Sequence, residues 1–301
     1  MAVERARIHF VPKPWGRADL RPWNSYHDTR TRIGEVWFER PNPIAAPPAL
    51  LLKLIFTDES HSNPMDLNVA IARGCSQNGS DAWYILSAGA ESRIAVGSKR
   101  LLSGEQLRGR ILEGALLGSV QWQTARATDS TSVYPDMFQA IGSGLVIVEI
   151  HATSDSTPRV AAPIGPSGRG KVPRKLTAAR TLLFRNGAFV LERITLAPGV
   201  VRELDVSEET WLFVLAGAGG VDSMDIEPGT ALFVQSDRAC IEVGAHGLQC
   251  LVAYARSAPV PCLLRRQSAM RVPDSGRGPE RTSLRLESPP ILRSVALEGH
   301  P

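Results

Sequence analysis

Short runs of apolar residues, separated by turn signals, recur along most of the chain. In the N-terminal part they cover 33–39, 50–56 and 145–150, and in the C-terminal part they cover 188–196, 210–215, 230–235 and 249–254. These runs are rich in β-branched and aliphatic residues, and several alternate apolar with polar positions as half-buried strands do. Pro-Gly pairs at 198–199 and 228–229 are typical of turns between strands. The pattern predicts an all-β fold.

A single segment, 103–120, has a helical pattern instead. Ser103 and Gln106 have the spacing of a capping box, and apolar residues then recur at helical intervals from Leu107 to Leu116. Glycines at 109, 114 and 118 weaken the pattern. We therefore predict one short helical segment within the β-rich chain.

Composition shifts divide the chain into parts. The N-terminal β-rich half covers 1–160, and a second small all-β half covers 179–262. Prolines and glycines concentrated between them predict a linker at 161–178. The remainder, 263–301, is rich in Arg, Ser, Pro and Glu and is predicted to be a disordered tail.

The stretch 136–159 organises the N-terminal half. A Gly-Ser-Gly bend at 142–144 separates two short runs, which we interpret as two strands meeting at a tight turn. Because side chains alternate along a strand, Gln139 and either Glu149 or His151 are candidates to face an interior site.

Lys53 lies in the middle of the apolar run 50–56. An unpaired buried ammonium is costly, so this side chain must either reach solvent at the edge of a sheet or meet an anion. The first alternative makes Lys53 a surface residue. The second places it at a site cavity.

Composition and charge exclude some classes of function. The chain has 301 residues, of which 43% are hydrophobic and 21% charged, enough to bury one large or two moderate cores. The net charge of +4 is spread along the chain without a block of five basic residues, which disfavours nucleic acid and leaves a mild bias toward small anions.

The cysteines and the N-terminal residues indicate the cellular compartment of the protein. The four cysteines form no Cys-x-x-Cys pair or zinc-finger spacing, and we expect reduced thiols. The first residues lack an apolar leader, and no run approaches the roughly 18 apolar residues of a membrane span. We expect a cytoplasmic protein without a membrane partner.

Several motifs together carry a family resemblance. They are Pro12-Lys13-Pro14-Trp15-Gly16, the segment Gly34-Glu35-Val36-Trp37, the segment Asp81-Ala82-Trp83-Tyr84, the run from Ala140 to Ile150, and Ser154, Asp155, Thr157 and Arg159. In this order they resemble the class I phosphomannose isomerases, which are metal-dependent cupins. The resemblance implies a bicupin, two small β-barrels or jelly rolls side by side, over residues from about Arg7 to Cys262. We expect Trp15 to pack on the N-terminal barrel within a proline-rich loop.

The resemblance also implies a zinc site, but its ligands are substituted here. The family places Gln, His, Glu and His where this chain has Pro64, Asp66, Asp81 and Gln139. Proline has no side-chain donor, and histidine supplies much of the affinity of zinc sites. Asp66, Asp81 and Gln139 remain as candidate metal ligands, suited to a weakly bound magnesium or manganese ion if to any. We expect the purified protein to hold little zinc.

Other site residues follow from the same resemblance. It assigns Lys53 and Arg159 to binding a sugar phosphate, and Arg159 and Asp81 are the candidate catalytic residues. The implied reaction is the aldose–ketose interconversion of mannose 6-phosphate and fructose 6-phosphate. With the metal site degenerate, a non-catalytic sugar-phosphate binder or regulator is the alternative. The third possible function is a structural or interaction module in which the cavity is filled.

Overall fold

The computed structural model describes residues 3–24, 30–41, 48–59, 81–98, 120–133, 139–153, 173–235 and 237–266. These residues form nineteen strands and no helix, which confirms the all-β prediction. They belong to one compact unit, Met1–Gln267. The described residues include no helix that is long and apolar enough to cross a membrane.

Two antiparallel sheets make up most of the N-terminal half. The larger has the order β2-β3-β4-β10-β5-β8, and its strands are β2 (Arg7–Arg17), β3 (Ile33–Glu39), β4 (Leu50–Phe56), β10 (Leu145–Ala152), β5 (Asp81–Ala88) and β8 (Ser130–Val133). The smaller has the order β7-β6-β9, with β7 (Val120–Thr124), β6 (Arg93–Ser98) and β9 (Gln139–Ile141). We call the larger one the six-stranded sheet.

A ten-stranded sheet contains the C-terminal strands. Its members are β1 (Val3–Arg5), β11 (Arg174–Lys175), β12 (Arg180–Arg185), β13 (Val190–Leu196), β14 (Val201–Val206), β15 (Thr210–Val221), β16 (Met224–Ile226), β17 (Ala231–Val234), β18 (Asp237–Tyr254) and β19 (Leu264–Arg266). Strand β1 pairs with β17, so the first described residues belong to the sheet of the C-terminal half. The long strand β18 pairs with β13, β14 and β15 and holds this sheet together.

The central strands of the six-stranded sheet, β4, β10 and β5, are buried on both faces. On one face, even-numbered residues of β4 and β10, from Leu50 to Phe56 and from Val146 to Ala152, form a core with Trp211, Phe213 and other residues of the ten-stranded sheet. On the other face, odd-numbered residues such as Ile55, Trp83 and Ile147 pack with Ile94 and Ile141 of the smaller sheet. This second face is therefore the interior of the N-terminal half.

Specific contacts join the two halves at the start of β4. The Trp211 indole N–H donates to the Leu50 carbonyl at 3.1 Å. The Glu209 carboxylate accepts the backbone N–H groups of Ala49 and Leu50 at 3.0 and 2.9 Å. These bonds satisfy backbone groups that would otherwise be buried without partners.

Two local predictions in the N-terminal half are wrong. β9 and β10 do not pair with each other: β9 pairs with β6, whereas β10 lies between β4 and β5. The bend at Gly144, with φ of +72°, therefore carries the chain from one sheet to the other. Residues 12–16 belong to strand β2 rather than to a loop, although Trp15 is buried as expected.

Two predicted boundaries also shift. Arg174 and Lys175, placed in the linker, form β11, and Leu264–Arg266, placed in the disordered tail, form β19 by pairing with β14. Apart from Val120, which begins β7, the predicted helical segment 103–120 lies outside the described residues. So do 154–172 and the tail from residue 267 onward.

A buried polar network holds the segment that contains Val260 and Pro261 against the C-terminal half. Arg180 forms a double hydrogen bond with Glu192, at 2.8 Å for each N–O pair, and donates to the carbonyls of Val260 and Pro261. The Tyr254 hydroxyl donates to Glu192 at 2.5 Å. Burial, and then the bond to this carboxylate, raise the pKa of Tyr254, so the hydroxyl stays protonated as a donor.

Replacing Arg180 with alanine should lower the free energy of unfolding by about 3–5 kcal/mol, because Glu192 would remain buried without its cation. Arg185→Ala is the matched control, since Arg185 is exposed on the same strand. Denaturant unfolding of both variants measures the difference. A loss in Arg180→Ala no larger than in the control would contradict a stabilising role for the pair.

Candidate functional site

The interior face of the six-stranded sheet carries a row of four residues from adjacent strands. Trp37 lies opposite Lys53, Lys53 opposite Glu149, and Glu149 opposite Trp83. Directly opposed residues of antiparallel strands point to the same face and are close enough to interact. We call these four residues the central row.

Lys53 and Glu149 form an ion pair within this row. Lys53 Nζ lies 2.7 Å from Glu149 Oε2, and the two side chains are only 3% and 1% exposed. The ammonium also lies 5.0 Å from the centre of the Trp37 ring, within the range of a cation–π contact. Of the two alternatives for Lys53, the structure shows the one in which it faces the interior and meets an anion.

The Trp37 side chain links the central row to a second carboxylate. Its indole N–H donates to Glu35 Oε2 at 2.8 Å. Glu35 is buried and lies two residues away on β3, on the same face. Glu35 therefore faces inward.

Asp81 and His151 form a second polar pair on this face. They lie opposite each other on β5 and β10, and Asp81 Oδ1 contacts His151 Nδ1. An ionised carboxylate can only accept hydrogen bonds, so this contact requires a proton on Nδ1, and a neutral imidazole then has its lone pair on Nε2. The His151 side chain is 21% exposed and that of Asp81 only 4%, so the imidazole is the accessible member.

The predicted site residues do not all lie at one place in the structure. Lys53 and Asp81 both lie on the interior face, on two strands that flank β10. Gln139 begins β9, where it is opposite Val96 of the smaller sheet. Asp66 and Arg159 lie outside the described residues, as does Pro64.

The described residues do not make up a zinc site. Among them there is no group of three or more His, Cys, Asp or Glu side chains placed to hold a metal ion. Asp81 and His151 supply two donor residues that are directed at each other. A structural zinc site needs four such donors and a catalytic one needs three.

Sequence reasoning missed the partners of these residues. It named His151 as a candidate to face the interior but did not pair it with Asp81, and it assigned no contact to Trp37. The available signal was the alternation of Glu149 and His151 along β10, which puts both on one face. The register that brings Lys53 and Asp81 opposite them is set by pairing between distant segments.

Comparison with known proteins gives a likeness in structure only. No family model matches the sequence, and no curated protein matches it. The mannose 6-phosphate isomerase from Bacillus subtilis superposes with a TM-score of 0.62 at 16% identity, covering 84% of this chain and 100% of that one. The apo form from Salmonella typhimurium gives 0.58 at 11% identity, with 85% and 100% covered. A mannose 6-phosphate isomerase bound with zinc and yttrium gives 0.60 at 11% identity, again with 85% and 100% covered.

These likenesses establish the fold. The chain has the all-β cupin architecture of the solved mannose 6-phosphate isomerases. Identities of 10–16% do not extend that statement to activity.

Glu149→Gln should lower the free energy of unfolding by about 3–5 kcal/mol, because it leaves the Lys53 ammonium buried without its counter-ion. Glu91→Gln is the matched control, since it makes the same chemical change on a side chain that is 89% exposed. Urea unfolding of both variants measures the effect. A loss for Glu149→Gln within about 0.5 kcal/mol, the usual range for surface changes, would contradict the buried pair.

Proposed function

We propose that the protein is a mannose 6-phosphate isomerase-like cupin of carbohydrate metabolism. Its N-terminal interior binds a hexose phosphate and interconverts the aldose and ketose forms slowly. The observation that carries this proposal is the Asp81–His151 pair, which lies on the interior face of a fold shared with solved isomerases. A cytoplasmic location stays a prediction.

The chemistry of an aldose–ketose interconversion needs a base next to the carbonyl. In this proposal, His151 Nε2 takes the proton from carbon 2 of the aldose and returns it to carbon 1, while the hydroxyl proton moves from oxygen 2 to oxygen 1. Asp81 holds the imidazole by accepting Nδ1–H and stabilises the imidazolium that forms. His151 suits this role better than Asp81 because it is the more exposed of the two.

The reaction also needs an electrophile at the carbonyl oxygen, and the described residues offer only a poor one. In metal-dependent isomerases a bound ion polarises this oxygen, but the described residues do not fit such an ion. The Lys53 ammonium of the central row lies on this face, but it is already paired with Glu149. A base without strong polarisation gives slow turnover.

A coupled assay from mannose 6-phosphate to fructose 6-phosphate should show turnover orders of magnitude below the usual range of about 1–1,000 per second, with or without added zinc, manganese or magnesium. His151→Gln should remove the residual turnover because it removes the base. His246→Gln, an exposed histidine on β18, should leave it unchanged.

Ordinary turnover with one of the metals, abolished by Asp81→Ala, would contradict slow turnover and identify a metal isomerase with a rebuilt ligand set. Residual turnover that His151→Gln leaves intact would remove His151 from the reaction. No turnover above that of heat-denatured protein would contradict the isomerase proposal.

One observation favours the alternative, a non-catalytic sugar-phosphate binder. The ammonium of Lys53 and the carboxylate of Glu149 are paired and flanked by two indole rings, Trp37 and Trp83. A charged pair beside aromatic rings suits the hydroxyls and apolar faces of a sugar ring without any chemistry on it. In this alternative Arg159 binds the phosphate.

Arg159→Ala should weaken the binding of mannose 6-phosphate by about 1.5–3 kcal/mol, because it removes charge-assisted hydrogen bonds to the phosphate. Calorimetric titration measures the affinity, and Arg185→Ala is the control for loss of one positive charge at an exposed position. Equal affinities in the two variants would exclude Arg159 from the site. No binding by the unchanged protein would contradict both functions and leave the structural module.

A further inference from the structure

We infer that the indole N–H of Trp83 is a binding group of the N-terminal interior and donates to an uncharged oxygen of the bound ligand. The inference rests on the proposed function in one respect, because both place a sugar phosphate against the interior face of the six-stranded sheet. It adds a residue that selects for the sugar part of the ligand rather than for the phosphate.

The first step is that Trp83 is a buried donor without an acceptor. The residue is only 1% exposed, and its Nε1 has no hydrogen-bond partner among the described residues. Trp211, which is also 1% exposed, donates to the carbonyl of Leu50 at 3.1 Å. Trp37 donates to Glu35 at 2.8 Å. Because an unpaired buried N–H costs free energy, the one at Trp83 points to an acceptor that is bound there.

Neighbouring side chains in the sheet do not supply this acceptor. Trp83 lies opposite Glu149 on β10 and opposite Thr131 on β8. Neither side chain accepts the indole N–H. The Glu149 carboxylate is instead engaged by the Lys53 ammonium. The acceptor therefore belongs to a molecule bound in the interior.

The second step is the position of Trp83 relative to the proposed reacting groups. Trp83 is two residues from Asp81 on β5, so both side chains point to the interior face. His151 lies opposite Asp81 and is partly exposed, whereas Trp83 is buried. Trp83 is therefore one row deeper than the pair to which the proposed function assigns proton transfer. A ligand whose reacting carbons meet His151 can reach Trp83 with a neighbouring oxygen.

The third step is the kind of oxygen that this donor selects. An indole N–H is a neutral donor with no accepting lone pair, and it suits a hydroxyl or carbonyl oxygen. A phosphate requires positive charge around it, but the Lys53 charge in this row is already balanced by Glu149. The ligand should therefore turn its sugar oxygens toward Trp83 and keep its phosphate away from this residue.

The test compares Trp83→Phe with Trp211→Phe in the full-length protein. Both variants make the same change at an equally buried tryptophan, but Trp211 already has its acceptor and packs in the core between the halves. Calorimetric titration with mannose 6-phosphate should show binding about fivefold weaker in Trp83→Phe, because one uncharged hydrogen bond is lost. Trp211→Phe should bind mannose 6-phosphate as the unchanged protein does. Inorganic phosphate alone should bind equally to all three proteins.

Two calorimetric results would overturn the inference. Equal affinities of Trp83→Phe and Trp211→Phe for mannose 6-phosphate would mean that the Trp83 N–H bonds to a resident water or to nothing. An equal loss of affinity for inorganic phosphate in Trp83→Phe would mean that the substitution acts on the phosphate rather than on a sugar oxygen.

Proton–nitrogen NMR of the indole groups observes the hydrogen bond itself. The Trp83 signal is identified by its absence from the Trp83→Phe spectrum, or by sequential assignment of the unchanged protein if that variant does not fold. Saturation with mannose 6-phosphate should move the Trp83 proton to higher frequency, because it gains an acceptor. The Trp211 proton, already bonded to Leu50, should stay in place. A Trp83 signal that does not move would overturn the inference.

A titration with mannose, which has no phosphate, separates this inference from the proposed function. If the unchanged protein does not bind mannose 6-phosphate, the proposed function fails, and the NMR experiment is repeated with mannose at high concentration. A shift of the Trp83 signal then supports the inference for an uncharged sugar. No shift with either sugar overturns the inference as well.

Discussion

Strand β10 sets the main constraint on the N-terminal half, because it lies at the middle of the six-stranded sheet and is buried on both faces. Its even-numbered residues are apolar and pack toward the ten-stranded sheet. Its odd-numbered residues begin as apolar, with Leu145 and Ile147, and end as charged or polar, with Glu149 and His151. A shift of register by one residue would put the side chains of Glu149 and His151 into the apolar core between the halves. The pairing of β10 with β4 and β5 is therefore strongly specified.

The same register decides which charges meet. Because β10 has a partner on each side, Glu149 meets Lys53 from β4 and His151 meets Asp81 from β5. Buried charges are tolerated only when paired and hydrogen-bonded. The interior of the N-terminal half is thus polar at one end of β10 and apolar at the other, where Ile55, Ile85 and Ile147 pack together.

Much of this arrangement could be predicted from the sequence. Alternation and turn signals are local properties, and they identified the strands at 33–39, 50–56 and 145–150 and the inward direction of Lys53 as one of two alternatives. Pairing between distant segments is not a local property. The Gly-Ser-Gly bend before Leu145 has the composition of a hairpin turn, yet β9 and β10 enter different sheets because β4 and β5 occupy both edges of β10. Likewise, nothing in Val3–Arg5 indicates that it pairs with β17, more than two hundred residues away.

Two of the buried ion pairs among the described residues serve different purposes. Arg180 and Glu192 are joined to the backbone carbonyls of Val260 and Pro261 and so hold a chain segment in place. Lys53 and Glu149 connect side chains of two strands whose ladder already fixes the backbone. Replacing a buried ion pair with apolar residues of similar volume is often neutral or stabilising, so stability alone does not account for a charged pair at this position. Its place beside Trp37 and Trp83, on the face that also carries Asp81 and His151, is where the proposed function puts the sugar phosphate.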